Sequence, residues 1–221
     1  MTAATATRRT QQERRNESDA RIIDAAIELF ARQGYRQTTL IQIGDVAGYT
    51  GTLISNRFGS KENLLRAVLT HILDRFQHRP ISDEMPKGGD RAALAAGADW
   101  PLLNYIDRYL NDVVDKQSRI RALHVIIGES LVGLPQVHDQ IIKVNQAFRK
   151  KIEDYLVFGI QGGAFRSDLD IFETSVIIVG LLRGVTMQAL AEPDRLEIRA
   201  MIAPLQAAVM AIVCRDRPGA G

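Results

Sequence analysis

Residues 43–61 read IGDVAGYTGTLISNRFGSK. Two short amphipathic stretches meet here at Gly48, and glycine is the residue that most readily ends a helix by stepping into the left-handed region. The first stretch starts just upstream. Thr39 and Gln42 form a capping box and Leu40, Ile43 and Val46 recur every three residues, which predicts a helix over 40–47. Thr50 is placed to cap a second short helix that carries Leu53 and Ile54 toward Phe58. Two short helices joined by a tight glycine-containing turn make a helix-turn-helix, whose second helix fits a major groove about 12 Å wide. Ile43, Val46, Leu53, Ile54 and Phe58 are expected in its core.

Outward from this segment the chain is helical on both sides. Upstream, Ile22, Ile23, Ala26, Ile27, Leu29 and Phe30 fall at helical spacing over 19–33, with Ser18 placed to cap and Gly34 to stop. Downstream, Ser60 caps a longer helix in which Leu64, Leu65, Val68, Leu69, Ile72 and Phe76 form one apolar face. Residues 80–99 hold Pro80, Pro86, Gly88, Gly89 and Gly97 and read as a connection. Further helices are expected over about 100–116, 119–133, 136–160, 168–190 and 194–214, broken at Ser118, Leu134-Pro135, Gly162-Gly163 and Glu192-Pro193. No strand pattern and no internal repeat is present. The expected fold is therefore all-α, with an N-terminal helix-turn-helix head and a larger helical body.

The chain has 221 residues, an apolar fraction of 46% and a charged fraction of 24%, which matches an ordinary globular protein with a sizeable core. No apolar run reaches the roughly 18 residues needed to span a membrane, and the N-terminus lacks the pattern of a secretory signal, so a cytoplasmic protein with no membrane partner is expected. The single cysteine, Cys214, fits a reducing compartment and reads as a small hydrophobe. Net charge is +2, but its distribution is uneven: residues 1–79 hold 12 Lys or Arg against 8 Asp or Glu, and the remainder 16 against 18. Arg8, Arg9, Arg14 and Arg15 precede the first helix, as a basic arm that reaches phosphates or a minor groove, or as a solvated tail. A Walker loop, a dinucleotide fingerprint, His-Glu-x-x-His and Gly-x-Ser-x-Gly are all missing, which argues against an enzyme. No cofactor and no structural metal is expected: His71, His78 and His138 are scattered, and His124 and Glu129, five positions apart, lie on different sides of a helix.

Several motifs occur in one order and spacing: Gly34-Tyr35, Thr38-Thr39, Ile43-Gly44-Asp45-Val46-Ala47-Gly48 and Phe58-Gly59-Ser60-Lys61-Glu62. Over about residues 18–69 this pattern resembles the head of the TetR family of transcriptional regulators. Three positions depart from it. Gly44 stands where the family has alanine, which should loosen the helix by about 1 kcal/mol unless a close contact wants the missing methyl. Thr52 replaces a glycine or alanine, and Ser55 replaces a tyrosine that touches phosphate in many members. The resemblance implies a homodimer that binds double-stranded operator DNA, usually as a repressor released by a small-molecule effector. It divides the chain into a flexible basic arm (1–17), a DNA-binding domain (18–64), a ligand-binding and dimerisation domain (65–214) and a flexible tail (215–221).

On this resemblance the expected DNA-binding residues are Thr39, Tyr49, Thr50, Gly51, Thr52, Asn56, Arg57 and Lys61. Lys61 at a helix start and Thr39 suit phosphate; Thr50 and Thr52, with Gly51 allowing close backbone approach, suit base edges or phosphates. Asn56 pairs well with adenine and Arg57 with guanine, although Arg57 could equally pair with an acid such as Glu62. Tyr35 and Tyr49 fit either core packing or a phosphate contact. Residues 159–194 resemble the start of the family's dimerisation helices; a helix carrying Ile177, Ile178, Leu181, Leu182, Val185 and Leu190 and one carrying Ile198, Ile202, Leu205, Val209 and Ile212 could pair with a symmetry mate as a four-helix bundle, or form an internal core hairpin. Gly180 and Gly184 could allow close helix approach. The effector pocket implied by the family draws candidates from the polar and aromatic interruptions of apolar helices: Trp100, Tyr105, Tyr109, His124, Glu129, Asn145, Phe148, Phe172 and Met187. A helical binding protein that does not read DNA is the competing reading.

Overall fold

The computed structural model describes residues 10–77, 100–115 and 117–214. Among them are nine α-helices and no strand: α1 (Gln11–Gln33), α2 (Leu40–Ala47), α3 (Gly51–Phe58), α4 (Lys61–Gln77), α5 (Pro101–Asp115), α6 (Gln117–Gly133), α7 (His138–Gln161), α8 (Ile171–Ala191) and α9 (Ile202–Val213). Short 3-10 turns at Pro135–Val137 and Ile198–Met201 lead into α7 and α9. The connection expected over 80–99 and the tail expected over 215–221 lie outside the described residues.

Helix α1 starts earlier than its apolar spacing suggested. Thr10 and Glu13 form a capping box, the threonine hydroxyl accepting from the Glu13 amide and the Glu13 carboxylate from the Thr10 amide. Residues 11–17, expected in a flexible arm, are thus the first two turns of a helix. Ser18 is not the cap; it is buried inside α1, with its hydroxyl donating to the Arg15 carbonyl at 2.8 Å. The other caps follow the sequence. Thr39 with Gln42 starts α2, Thr50 accepts from the Leu53 amide to start α3, and Ser60 accepts from the Asn63 amide to start α4. Gly48 adopts φ 77° and closes α2 in the left-handed conformation.

The head core joins Ile22, Ala26 and Phe30 of α1 to Ile43, Ile54, Leu64 and Leu65, all fully buried. Val46, expected there, is 47% exposed, because an eight-residue helix turns only one stripe inward, here Ile43 and Gly44. Leu53 and Phe58 are half-buried. Helix α1 also packs along α6, and α4 packs against α7, so head and body share a continuous core.

In the body, α5 lies against α6, α7 and α9, and α8 packs on α7. By length and composition α8 could cross a membrane, against the expectation that no segment could; it is instead built into the body, with Ile178, Val179 and Leu182 buried and Arg183 at its middle. Its outward face is apolar: Phe172, Val176, Ile177 and Met187 are 59%, 44%, 51% and 58% exposed. Of the residues expected to pair the last helices between protomers, Ile178, Leu182, Ile198, Leu205 and Val209 are buried within the chain itself.

Candidate nucleic-acid interface and buried polar core

The helix-turn-helix leaves Thr39, Thr50, Thr52, Ser55 and Asn56 exposed along α2 and α3. Thr39 and Thr50 use one lone pair each in capping, and the Thr39 hydroxyl also donates to Gln42 Oε1 at 3.3 Å; a second lone pair remains on both oxygens. Gly51 contributes by its missing side chain: a Cβ there would stand 3.2–3.3 Å from Ile41, so the first turn of α3 packs directly on α2. Tyr49 is half-buried against the core.

The two cations of this group have partners within the chain. Arg57 Nη1 donates to Asp19 Oδ1 at 2.7 Å, to the Arg15 carbonyl at 3.1 Å and to the Ser18 hydroxyl. Asp19, and not Glu62, is therefore the acidic neighbour that holds it, while Glu62 pairs with Arg66. Lys61 Nζ donates to the Thr38 carbonyl at 2.6 Å and the Arg36 carbonyl at 3.2 Å, and lies 4.3 Å above the Tyr35 ring. Burial lowers its pKa below the usual ammonium value, an effect the Glu129 carboxylate opposes. Beside α3, a groove of about 380 Å³ is lined by Gln11, Arg14, Arg15, Leu53, Asn56 and Arg57. The extra turns of α1 thus hold Arg14 and Arg15 next to Asn56. Arg8 and Arg9 lie outside the described residues.

A second polar group lies inside the body. Five of the nine candidate pocket residues converge there: Tyr105 and Tyr109 from α5, His124 from α6, Asn145 and Phe148 from α7. The Tyr105 and Tyr109 rings stack at 6.5 Å, Tyr109 meets Phe148 edge-on at 6.1 Å, and Tyr155, which sequence reasoning missed, adds a fourth ring 5.5 Å from Tyr105. Also missed was Arg183 of α8, which donates to Asn145 Oδ1 at 2.6 Å. A lone arginine in the long apolar helix α8 was the signal that could have found it. Burial raises the pKa of Tyr109, against a hydrogen bond with Thr186 and the charge of Arg183, and lowers that of His124.

The other four candidates are placed elsewhere. Trp100 is buried against Phe165, their rings stacked at 5.1 Å. Phe172 and Met187 are on the exposed face of α8. Glu129 faces the head: its Oε2 accepts from the Tyr35 amide at 3.1 Å, and close by Arg36 donates to the Gly133 carbonyl at 2.8 Å. With the Arg119 to Asp24 ion pair at 3.2 Å, these contacts bind α6 to the head.

Residues 22–68 match the family model of bacterial regulatory proteins, tetR family. The chain is 28% identical to the HTH-type transcriptional repressor KstR2 of Rhodococcus jostii over 152 residues, covering 68% of this chain and 69% of that one. It is 27% identical to the HTH-type transcriptional regulator SrpR of Pseudomonas putida over 179 residues, covering 81% and 78%. Its fold superposes on the transcriptional regulator FadR of Bacillus subtilis, solved in complex with stearoyl-CoA, with a TM-score of 0.71 at 20% identity over 86% of this chain and 96% of that one. The head, residues 22–68, is therefore a TetR-family domain. With transcriptional regulators as the relatives matched along most of its length, the chain is a transcriptional regulator and not an enzyme. One departure from the TetR head pattern now has a physical reason. A Cβ at Gly44 would stand inside 3.0 Å of the Tyr49 carbonyl oxygen, and the Gly44 carbonyl accepts from the Tyr49 amide at 2.8 Å. The turn after α2 folds onto the space an alanine methyl would fill.

Proposed function

We propose that this chain is a cytoplasmic, ligand-responsive repressor that occupies a palindromic operator as a homodimer and is released when a small molecule binds its body. One observation carries the reading: polar groups are divided between an exposed set on α2 and α3 and a set gathered inside the body, with α4 running between the two. Thr39, Thr50, Thr52 and Asn56 are the groups offered to DNA, with Tyr49 and Gly51 shaping the turn that presents them. Arg57 and Lys61, already held by carbonyls and Asp19, hold the segment in place and add positive potential near phosphates. The apolar outer face of α8 supports a two-fold pairing of protomers, which would set two heads near one turn of DNA, about 34–36 Å, apart. The stearoyl-CoA complex of the B. subtilis relative supports a small-molecule effector.

Selection of bound fragments from the source genome, followed by footprinting, tests this reading. The expected result is a two-fold symmetric site whose affinity falls steeply with salt. Bound fragments without symmetry, or no salt dependence, would overturn it. An effector must then weaken operator binding by the same factor that operator weakens effector binding, a hundredfold effect corresponding to about 2.7 kcal/mol of coupling. Effector affinity that is identical with and without saturating operator would rule that compound out as the inducer.

A further inference from the structure

Arg183 sits in surroundings short of negative charge. Its Nη1 is held by Asn145, and its guanidinium carbon lies 5.2 Å from the centroid of the Phe148 ring. Its Nη2 is buried and has no hydrogen-bond partner among the described residues. The groups whose fields reach it are the phenols of Tyr105 and Tyr109 and a second cation, Arg149; no carboxylate is among them. His124 on α6 is near enough to feel its charge. His124 Nδ1 lies 2.9 Å from the Ile120 carbonyl, so that nitrogen carries the proton, and Nε2 is buried with no partner. A guanidinium withdrawn from water without a counter-ion is costly, and buried polar networks are stable only when their members are satisfied. Both unmatched nitrogens, one cationic and one able to become so, suit an anionic partner.

We propose that the body carries an acid-recognition site, in which Arg183 and His124 take the carboxylate of a small molecule whose apolar part lies against Tyr105, Tyr109 and Phe148. The inference rests on the effector-sensing reading above and names the chemical class of the effector. One guanidinium and one imidazole match the planar, singly charged carboxylate, and the aromatic lining suits an uncharged hydrocarbon or aromatic body. Binding places the anion beside His124 and favours a proton on Nε2, which then becomes the second donor.

Titration calorimetry on the full chain tests this with matched probes: decanoate against 1-decanol, 4-phenylbutyrate against 4-phenyl-1-butanol, and decyl phosphate. An acid is expected to bind at least about tenfold more tightly than its alcohol, and Arg183→Gln to weaken the acid by about ten- to a hundredfold while leaving the alcohol within about twofold. Alcohols binding as well as acids, no binding by either acid, decyl phosphate binding better than decanoate, or unchanged acid affinity in Arg183→Gln would each overturn it. The acid and alcohol comparison uses the unaltered protein, so it decides the matter even if the variant does not fold. Operator binding followed in parallel separates the two readings. An uncharged compound that releases DNA equally from both proteins keeps effector sensing and overturns the acid site. An acid held by Arg183 that leaves operator affinity unchanged keeps the site and overturns effector sensing.

Discussion

Gly44 shows how one missing methyl can set the shape of a recognition motif. Alanine is the better helix former by about 1 kcal/mol, yet a Cβ here would press on the Tyr49 carbonyl oxygen, which is backbone and cannot swing away. Gly44→Ala is therefore expected to lower stability by about 1–3 kcal/mol, despite its better propensity, and to weaken operator binding through a displaced α3. A denaturation midpoint at or above that of the unaltered protein would show that the turn can relax. His124 makes a second residue-scale prediction. Its folded-state pKa is pushed below 6.5 mainly by burial, so the unfolded chain takes up the proton first. Stability is thus lost as pH falls through 6.5 toward the lower folded value, and His124→Asn should remove up to about 1.4 kcal/mol per pH unit of that slope. Urea midpoints at pH 7.5 and 5.5 measure the difference between the two proteins; parallel slopes would mean that the imidazole is not buried in its neutral form.

At the scale of elements, α6 is the body helix along which the reading head lies, tied at its start through Arg119 and near its end through Glu129. Glu129 accepts the Tyr35 amide just after Gly34, where φ is +84° and a Cβ would approach the carboxylate to 2.5 Å. Glu129→Ala should cost about 1–3 kcal/mol, because it strands a buried backbone donor, while Glu129→Gln keeps an acceptor and most of the stability. Equal midpoints for the two variants would refute the contact. This role was not legible in the sequence, where Glu129 stood out only as a polar residue in an apolar helix. The caps at Thr39, Thr50 and Ser60 were legible, because capping is a local code written within four residues. The start of α1 was not: Thr10 and Glu13 cap it before any apolar periodicity begins. Nor was the direction of α8, apolar on nearly every side, so Phe172 and Met187 were expected inward and are found on the outer face. Periodicity marks a face only when its opposite is polar.

At the scale of the whole molecule, the outer face of α8 makes the test of assembly. Ile177 is 51% exposed between Val176 and Gly180, and Ile177→Glu would place charges against each other across a two-fold axis without disturbing the chain's own core. The expected outcome is a monomer by light scattering, with an unchanged helical spectrum and operator affinity reduced by at least about tenfold, since each half-site must then be bound alone. A variant that remains dimeric would move the interface elsewhere. The ties between α1 and α6, Asp24 to Arg119 and Tyr35 to Glu129, bear on something further. A reading head held this way has no stability of its own to lose separately. Heating should give one calorimetric transition for head and body together, with the amides of α1 and α6 exchanging hydrogen at matched rates. A fragment ending at Gln77 would lack the surface on which α1 lies, and would melt at lower temperature than the same residues do within the full chain.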